Sequence, residues 1–414
     1  MIKNDYGHLG APYYLERLAN EAEIYVIPRK SKLTSVTVLI SKGGYQEENS
    51  VSGKFPFGTS YYLSNVFFDE SFKREQALKN IIAENEVTQS YSTFSLTSNS
   101  EDLLPALSQV LGKLSSYDYT EKEVEAFRVL DENRVKEEEN DPLLLAKRLA
   151  VKGLYFKSPI QNGIRPLSGQ GELIHASALR RFQATYYVPK RMAIYVSGDV
   201  EPKAVIAAIK KMPFSVSTME KKMPEKPNPE NYTKVSEELI TIEKQSVNLL
   251  SYAIKFPARK DLYEAYGETM FYSYEFLLDL LFRKNNYFLS GIADLRSELI
   301  DAEFVEAGED SYLLLTFRSD AAKEVTNFLA NYLPRLSKKI TNALYDRVQE
   351  EYYAANLAIL SSPYLLLKEF ARSYPNRVVY PALICHAKRL SYSAFRKLID
   401  EIKTFPRTAV ILSK

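Results

Sequence analysis

Tyr61, Ser64 and Asn65 lie in the stretch Gly58-Thr59-Ser60-Tyr61-Tyr62-Leu63-Ser64-Asn65-Val66-Phe67-Phe68, which reads as a short helix beginning at a glycine. Tyr61 and Asn65 stand one helical turn apart and share a face, with Ser64 at the neighbouring angle. On a zinc-hydrolase helix this spacing supplies two metal ligands and a general base. The chemistry needs three deprotonated ligands, an open fourth position and a base for the bound water. A phenol ionises only near pH ~10, an amide is a poor zinc ligand, and a serine hydroxyl does not take a proton from water. The spacing is present and the chemistry is not. Tyr61, Ser64 and Asn65 therefore read as a polar cluster with no catalytic or metal-binding role of their own.

The other candidates add little. Glu125 and Glu132 are two helical turns apart on a segment that also reads as an ordinary solvated face. The run Glu137-Glu138-Glu139 reads as a solvated helix end. His8, His175 and His386 are far from the motif and from each other. Cys385 adjoins His386, but adjacent helical residues point apart and no third group completes a nucleophilic set. No Gly-rich phosphate loop, Cys-x-x-Cys pair or serine nucleophile elbow occurs. The 54 basic and 52 acidic side chains nearly cancel, which argues against a nucleic-acid partner. A single cysteine fits a reducing compartment. No apolar run reaches membrane-spanning length, and Met1 to Pro12 shows neither a signal-peptide core nor an Arg-rich presequence. A cytoplasmic protein with no membrane partner is expected.

The elements that must hold these residues follow from periodicity. Glu23 to Pro28 and Leu33 to Lys42 read as strands, and Ile81 to Thr88 with Gln89 to Ser98 as a strand pair. Leu103, Leu104, Leu107, Val110, Leu111 and Leu114 form one buried helical stripe. Thr120-Glu121-Lys122-Glu123 is a capping box that opens the helix carrying Glu125 and Glu132. A helix over 177–187 leads to a strand at 191–197, and another helix covers 202–211. Pro213, Pro224, Pro227 and Pro229 stand among polar residues and predict an exposed linker at 216–237. Beyond it the plan repeats: strands at 239–243 and 247–256, a long helix near 261–284, strands at 302–307 and 311–318, then helices and a last strand at 408–412. With 414 residues, this predicts two related domains, 1–215 and 238–414.

Taken in order, these segments resemble the pitrilysin/insulinase family of zinc peptidases, whose signature helix reads G-x-A-H-F-L-E-H-x-x-F around the inverted H-x-x-E-H motif. Gly58, Ser60, Tyr62, Leu63 and Phe68 fit its framework, while Tyr61, Ser64 and Asn65 stand at the ligand, base and ligand positions. Glu125 and Glu132 resemble the supporting glutamate and third ligand. Asp141-Pro142, Thr185-Tyr186-Tyr187-Val188-Pro189, the segment 193–202 and Ser361-Ser362-Pro363-Tyr364 are similar to later family segments. The family holds substrate backbone with an Arg and a Tyr in its second half; here Arg296 fits, and Glu303 or a neighbour stands where the tyrosine belongs.

The resemblance implies an α+β fold of two homologous domains, each an antiparallel-rich sheet with helices packed on one side. It also implies the zinc-free chain of a heterodimer, with no metal or cofactor of its own and zinc in a homologous partner subunit. Its role would be to complete a chamber and present an extended peptide bound along the strand carrying Ile82, Ala83 and Glu84, with Arg296 as a further contact. A structural or assembly subunit, or a stand-alone peptide-binding homodimer, is the alternative.

Overall fold

A computed structural model describes residues 1–6, 9, 12–47, 55–99, 101–116, 118–155, 158–213, 237–242, 247–266, 274–307, 310–376, 378–389 and 391–414. The first half runs β1 (Ile2–Asn4), β2 (Tyr13–Arg17), β3 (Glu23–Pro28), β4 (Thr34–Ile40), α1 (Thr59–Phe67), α2 (Glu70–Ala77), β5 (Ile82–Val87), β6 (Ser92–Ser98), α3 (Leu103–Ser115), α4 (Glu121–Glu139), α5 (Pro142–Leu154), α6 (Ala176–Tyr186), β7 (Met192–Gly198) and α7 (Pro202–Ile209). The second continues with β8 (Glu237–Ile242), β9 (Leu249–Lys255), α8 (Arg259–Tyr266), α9 (Tyr274–Leu278), α10 (Asn286–Asp294), β10 (Ser297–Ala307), β11 (Asp310–Ser319), α11 (Ala322–Tyr332), α12 (Leu336–Lys339), α13 (Asn342–Ile359), α14 (Pro363–Ser373), α15 (Tyr380–Ala387), α16 (Tyr392–Glu401) and β12 (Arg407–Leu412).

The strands form two sheets, ordered β1-β2-β3-β7-β4-β6-β5 and β10-β11-β9-β12-β8. Read from opposite ends, the second repeats the last five strands of the first. In each, the last strand in sequence inserts parallel to the first (Ile24↔Ile194, Leu239↔Ala409) and antiparallel to the second (Val38↔Ile194, Ser251↔Val410). A strand pair then extends to a free edge, β5 or β10. The expected duplicated α+β plan is therefore present. The added strands β1 and β2 escape the sequence reading because they are short and their burial does not alternate.

Alternation along the central strands separates the two faces of the first sheet. Ile24, Val26, Ile194 and Val196 join Leu63, Phe67, Leu107, Leu111, Leu179 and Phe182 in one core under the helices. Tyr25 and Tyr195 turn the other way and stack on each other, with ring centroids 4.8 Å apart. Phe370 of α14 closes on both, 6.5 Å from Tyr25 and 5.7 Å from Tyr195. Leu366, Leu367, Phe370 and Ala371 form the buried stripe that makes α14 pack here. So one helix covers the face opposite the main helical layer. In the other unit α5 does the equivalent job, packing on β9 and β12 through a helix opened by Asp141, whose carboxylate accepts the Leu143 N–H at 2.8 Å.

The compact units are consequently not contiguous halves. One comprises the described residues of Met1–Asn133, Ile164–Pro227 and Asn356–Leu383; the other, those of Arg134–Gly163, Asn228–Ala355 and Ile384–Lys414. The cause is the pair α5 and α14, each of which packs on the sheet built by the other half of the sequence. The expected linker lies outside the described residues except for Glu237, which begins β8. The long helix expected near 261–284 is seen as α8 and as α9 continued by a π turn at Asp279–Arg283. Residues 267–273 lie outside the described residues.

Candidate functional site

The site is built on α1, and α1 is held by its first turn. Gly58 has φ +87°, a left-handed conformation that favours glycine. A Cβ there would lie 2.5 Å from Pro166 Cδ. The chain must turn sharply and pass close to the segment carrying Arg165 and Pro166. Glu47, 0% exposed, caps the turn. One carboxylate oxygen accepts the Gly58 N–H at 2.6 Å; the other accepts the Ser60 N–H and Oγ–H, each at 2.6 Å. The helix N-terminus and its unpaired N–H groups stabilise this buried anion.

Leu63 and Phe67 anchor α1 in the core, and Tyr61 and Asn65 then emerge half-buried on the opposite side. The Tyr61 hydroxyl donates to Asp131 Oδ1 of α4 at 3.1 Å. Arg165 donates to the same oxygen from Nε at 3.0 Å and Nη2 at 2.5 Å. Its guanidinium also lies 5.3 Å from the Tyr61 ring centroid. Asn65 Nδ2 donates to the Tyr61 carbonyl at 2.8 Å. Asn85 of β5 donates to Ser64 Oγ at 3.1 Å and Asn65 Oδ1 at 3.3 Å. The three motif positions are thus tied both to α4 and to the sheet edge.

The two glutamates expected beside them make contacts of their own. Glu125 is exposed and pairs with Arg128, one turn along the same helix. Glu132 accepts Ser168 Oγ–H at 2.5 Å and the Gly169 N–H at 3.4 Å. The carboxylate that reaches Tyr61 belongs to Asp131, 1% exposed. The reason is rotational: Val124, Asp131 and Val135 follow the buried stripe of α4, and Glu132 stands about 100° further round. The sequence carried this signal in the apolar spacing of Val124 and Val135. Arg165, Asn85 and Glu47 come from separate segments, and no local pattern marks them.

Ile82, Ala83 and Glu84 lie on β5, which pairs with β6 and forms the edge of the sheet. Ile82 is 63% exposed. Burial together with a hydrogen bond to Glu84 pushes the Tyr364 phenol up to about 12. Arg296 belongs to the other unit. It is exposed, with φ +51°, at the turn before β10. Glu303 accepts from Lys147 Nζ at 3.1 Å, and Asp301 does so at 2.5 Å. The neighbouring Phe304 stacks on Tyr274 with centroids 3.6 Å apart.

Zinc does not fit the α1 site. Its donors are a phenol, an amide and one carboxylate, and that carboxylate is already bonded to a guanidinium. Among the described residues no three His, Cys, Asp or Glu side chains gather as a metal site would require. Among the described residues no helix is long and apolar enough to cross a membrane.

Residues 174–352 match the family model described as the Peptidase M16 inactive domain. The chain is 25% identical over 224 residues to a protein named uncharacterized zinc protease YmfH from Bacillus subtilis (strain 168). That match covers 51% of this chain and 51% of the relative, about half the length of each. The fold resembles that of a putative M16-like peptidase from Alicyclobacillus acidocaldarius, with TM-score 0.82, 14% identity and 100% of both chains covered. It also resembles a protease from Helicobacter pylori, with TM-score 0.81 and 17% identity over 97% of this chain and 99% of that one. Residues 174–352 thus match an inactive-type M16 domain, and the chain as a whole has a duplicated fold like that of M16-like peptidases.

Proposed function

We propose that the protein is a non-catalytic, peptide-binding subunit that works with a homologous, zinc-bearing peptidase subunit. The observation that carries this reading is the bond from Asn85 on the free edge strand β5 to Ser64 and Asn65 on the altered motif helix. On this reading the strand that would hold the peptide stays tied to α1, while the groups that would cut are replaced. An edge strand turns the N–H and C=O of alternate residues outward. An extended peptide pairs with them through its backbone, which tolerates varied sequences. Ile82, Ala83 and Glu84 would line this track; Arg296, on the other unit, would be a substrate contact in its own right. The chain would carry no cofactor, and zinc would reside in the partner. Substrates would be peptides or small unfolded proteins, and a cytoplasmic setting fits the single cysteine.

The experiment mixes the purified chain with a zinc-bearing M16 homologue encoded beside it and follows cleavage of a quenched fluorescent peptide. Cleavage that requires both chains, with co-elution at heterodimer mass, is expected. A chain that neither pairs with the homologue nor changes its rate overturns the reading. Stoichiometric zinc in the isolated chain would overturn the non-catalytic assignment itself.

A further inference from the structure

The departure from zinc chemistry goes beyond lost ligands. Asp131 is almost fully buried, and an ionised carboxylate in that position requires a cation or several hydrogen bonds. Arg165 meets this need with two nitrogens on one oxygen, and Tyr61 adds a third donor. Asp131 Oδ2 is buried and accepts no hydrogen bond from the described residues. A guanidinium does not lose its proton in a protein, so its charge is permanent. It is also fixed in place, because Pro166, the next residue, packs where a Cβ on Gly58 would stand.

From this geometry we infer that Arg165 is the resident cation of the α1–α4 site and that it excludes a divalent metal, even when metal-binding side chains are restored around it. A metal approaching Asp131 meets a fixed positive charge on the carboxylate that would have to bind it. Restoring ligands on α1 adds donors and leaves that charge in place. The inference concerns this chain alone and stands whether or not a partner subunit exists.

The test restores ligands with Tyr61→His, Ser64→Glu, Asn65→His and Asp131→Glu, with Arg165 retained or changed by Arg165→Gln. Zinc is counted by mass spectrometry of the gel-filtered protein and affinity is measured by titration. With Arg165 retained, substoichiometric zinc is expected; with Arg165→Gln, one zinc per chain and an affinity higher by at least about tenfold. Circular dichroism checks the fold. Should the four-residue background fail to fold, Tyr61→His/Asn65→His with Asp131 retained serves instead, read by the visible spectrum of bound cobalt. Equal metal affinity with and without Arg165, in whichever background folds, overturns the inference.

Discussion

Asp131, at the middle of α4, accepts the Tyr61 hydroxyl from α1 at 3.1 Å. The contact joins the altered motif helix to the long helix behind it, and Arg165 shares the same oxygen. The three residues form one network, so their contributions are not separable by single deletions.

Asp131→Ala removes the acceptor and leaves a half-buried guanidinium without its carboxylate, at a cost of about 3 kcal/mol in unfolding free energy. Tyr61→Phe removes one donor while Arg165 still bonds the same carboxylate oxygen, so it costs about 1 kcal/mol. Denaturant unfolding of both single variants and the double variant gives the coupling. A double variant less destabilised than the sum of the two singles is expected. Strict additivity would mean that the hydroxyl and carboxylate do not interact in solution.

Glu47 holds the first turn of α1 with no exposure to water. An ordinary exposed cap is worth about 1 kcal/mol. Here two backbone N–H groups and the Ser60 hydroxyl lose their acceptor together, inside the protein. Glu47→Ala should therefore cost about 3 kcal/mol, with fraying concentrated in α1. Hydrogen exchange of the Gly58 and Ser60 amides, measured beside global stability, checks this. Unchanged protection at both amides would refute it.

Gly58→Ala tests the same turn from its backbone. The position has φ +87°, and the new methyl would stand 2.5 Å from Pro166 Cδ, against a ring that cannot rotate away. Left-handed strain and the clash together should cost about 2–4 kcal/mol. Because Pro166 follows Arg165, the variant should also loosen the Arg165–Asp131 pair. Thermal melts give the first effect. The second would appear as a smaller penalty for Asp131→Ala in the Gly58→Ala background.

Much of this was legible in the sequence, for identifiable reasons. The strand pair leading to β5, the stripe of α3 and the duplicated order of strands follow from hydrophobic period, which is local information. The helix at 58–68 was readable from its glycine and spacing. Two things were not. The first is the angle of a residue around α4: one position, about 100°, separates Glu132 from Asp131, and only the phase of Val124 and Val135 fixes it. The second is anything assembled across sequence distance. Arg165 on Asp131, Glu47 beneath α1, and α14 on the first sheet depend on tertiary packing that leaves no short motif.

The last prediction concerns acid. Glu23 on β3 is buried, which by itself raises its pKa, yet hydrogen bonds from Arg17 at 2.6 Å and from the Tyr25 and Tyr374 hydroxyls, both at 3.0 Å, bring it below the ordinary value. A carboxyl whose folded pKa is depressed contributes stability above its unfolded pKa, about 4.3 for glutamate, and loses it as pH falls through the folded value. Glu23→Gln removes the charge at every pH. The variant should be less stable than the parent by about 1–3 kcal/mol at pH 7. As pH drops below about 4 the parent protonates Glu23 and approaches the variant chemically, so the gap should narrow. Paired urea titrations at pH 7, 5, 4 and 3 measure it. A gap that stays constant down to pH 3 would mean that the Glu23 carboxylate is not held by Arg17 and the two tyrosines in its charged form.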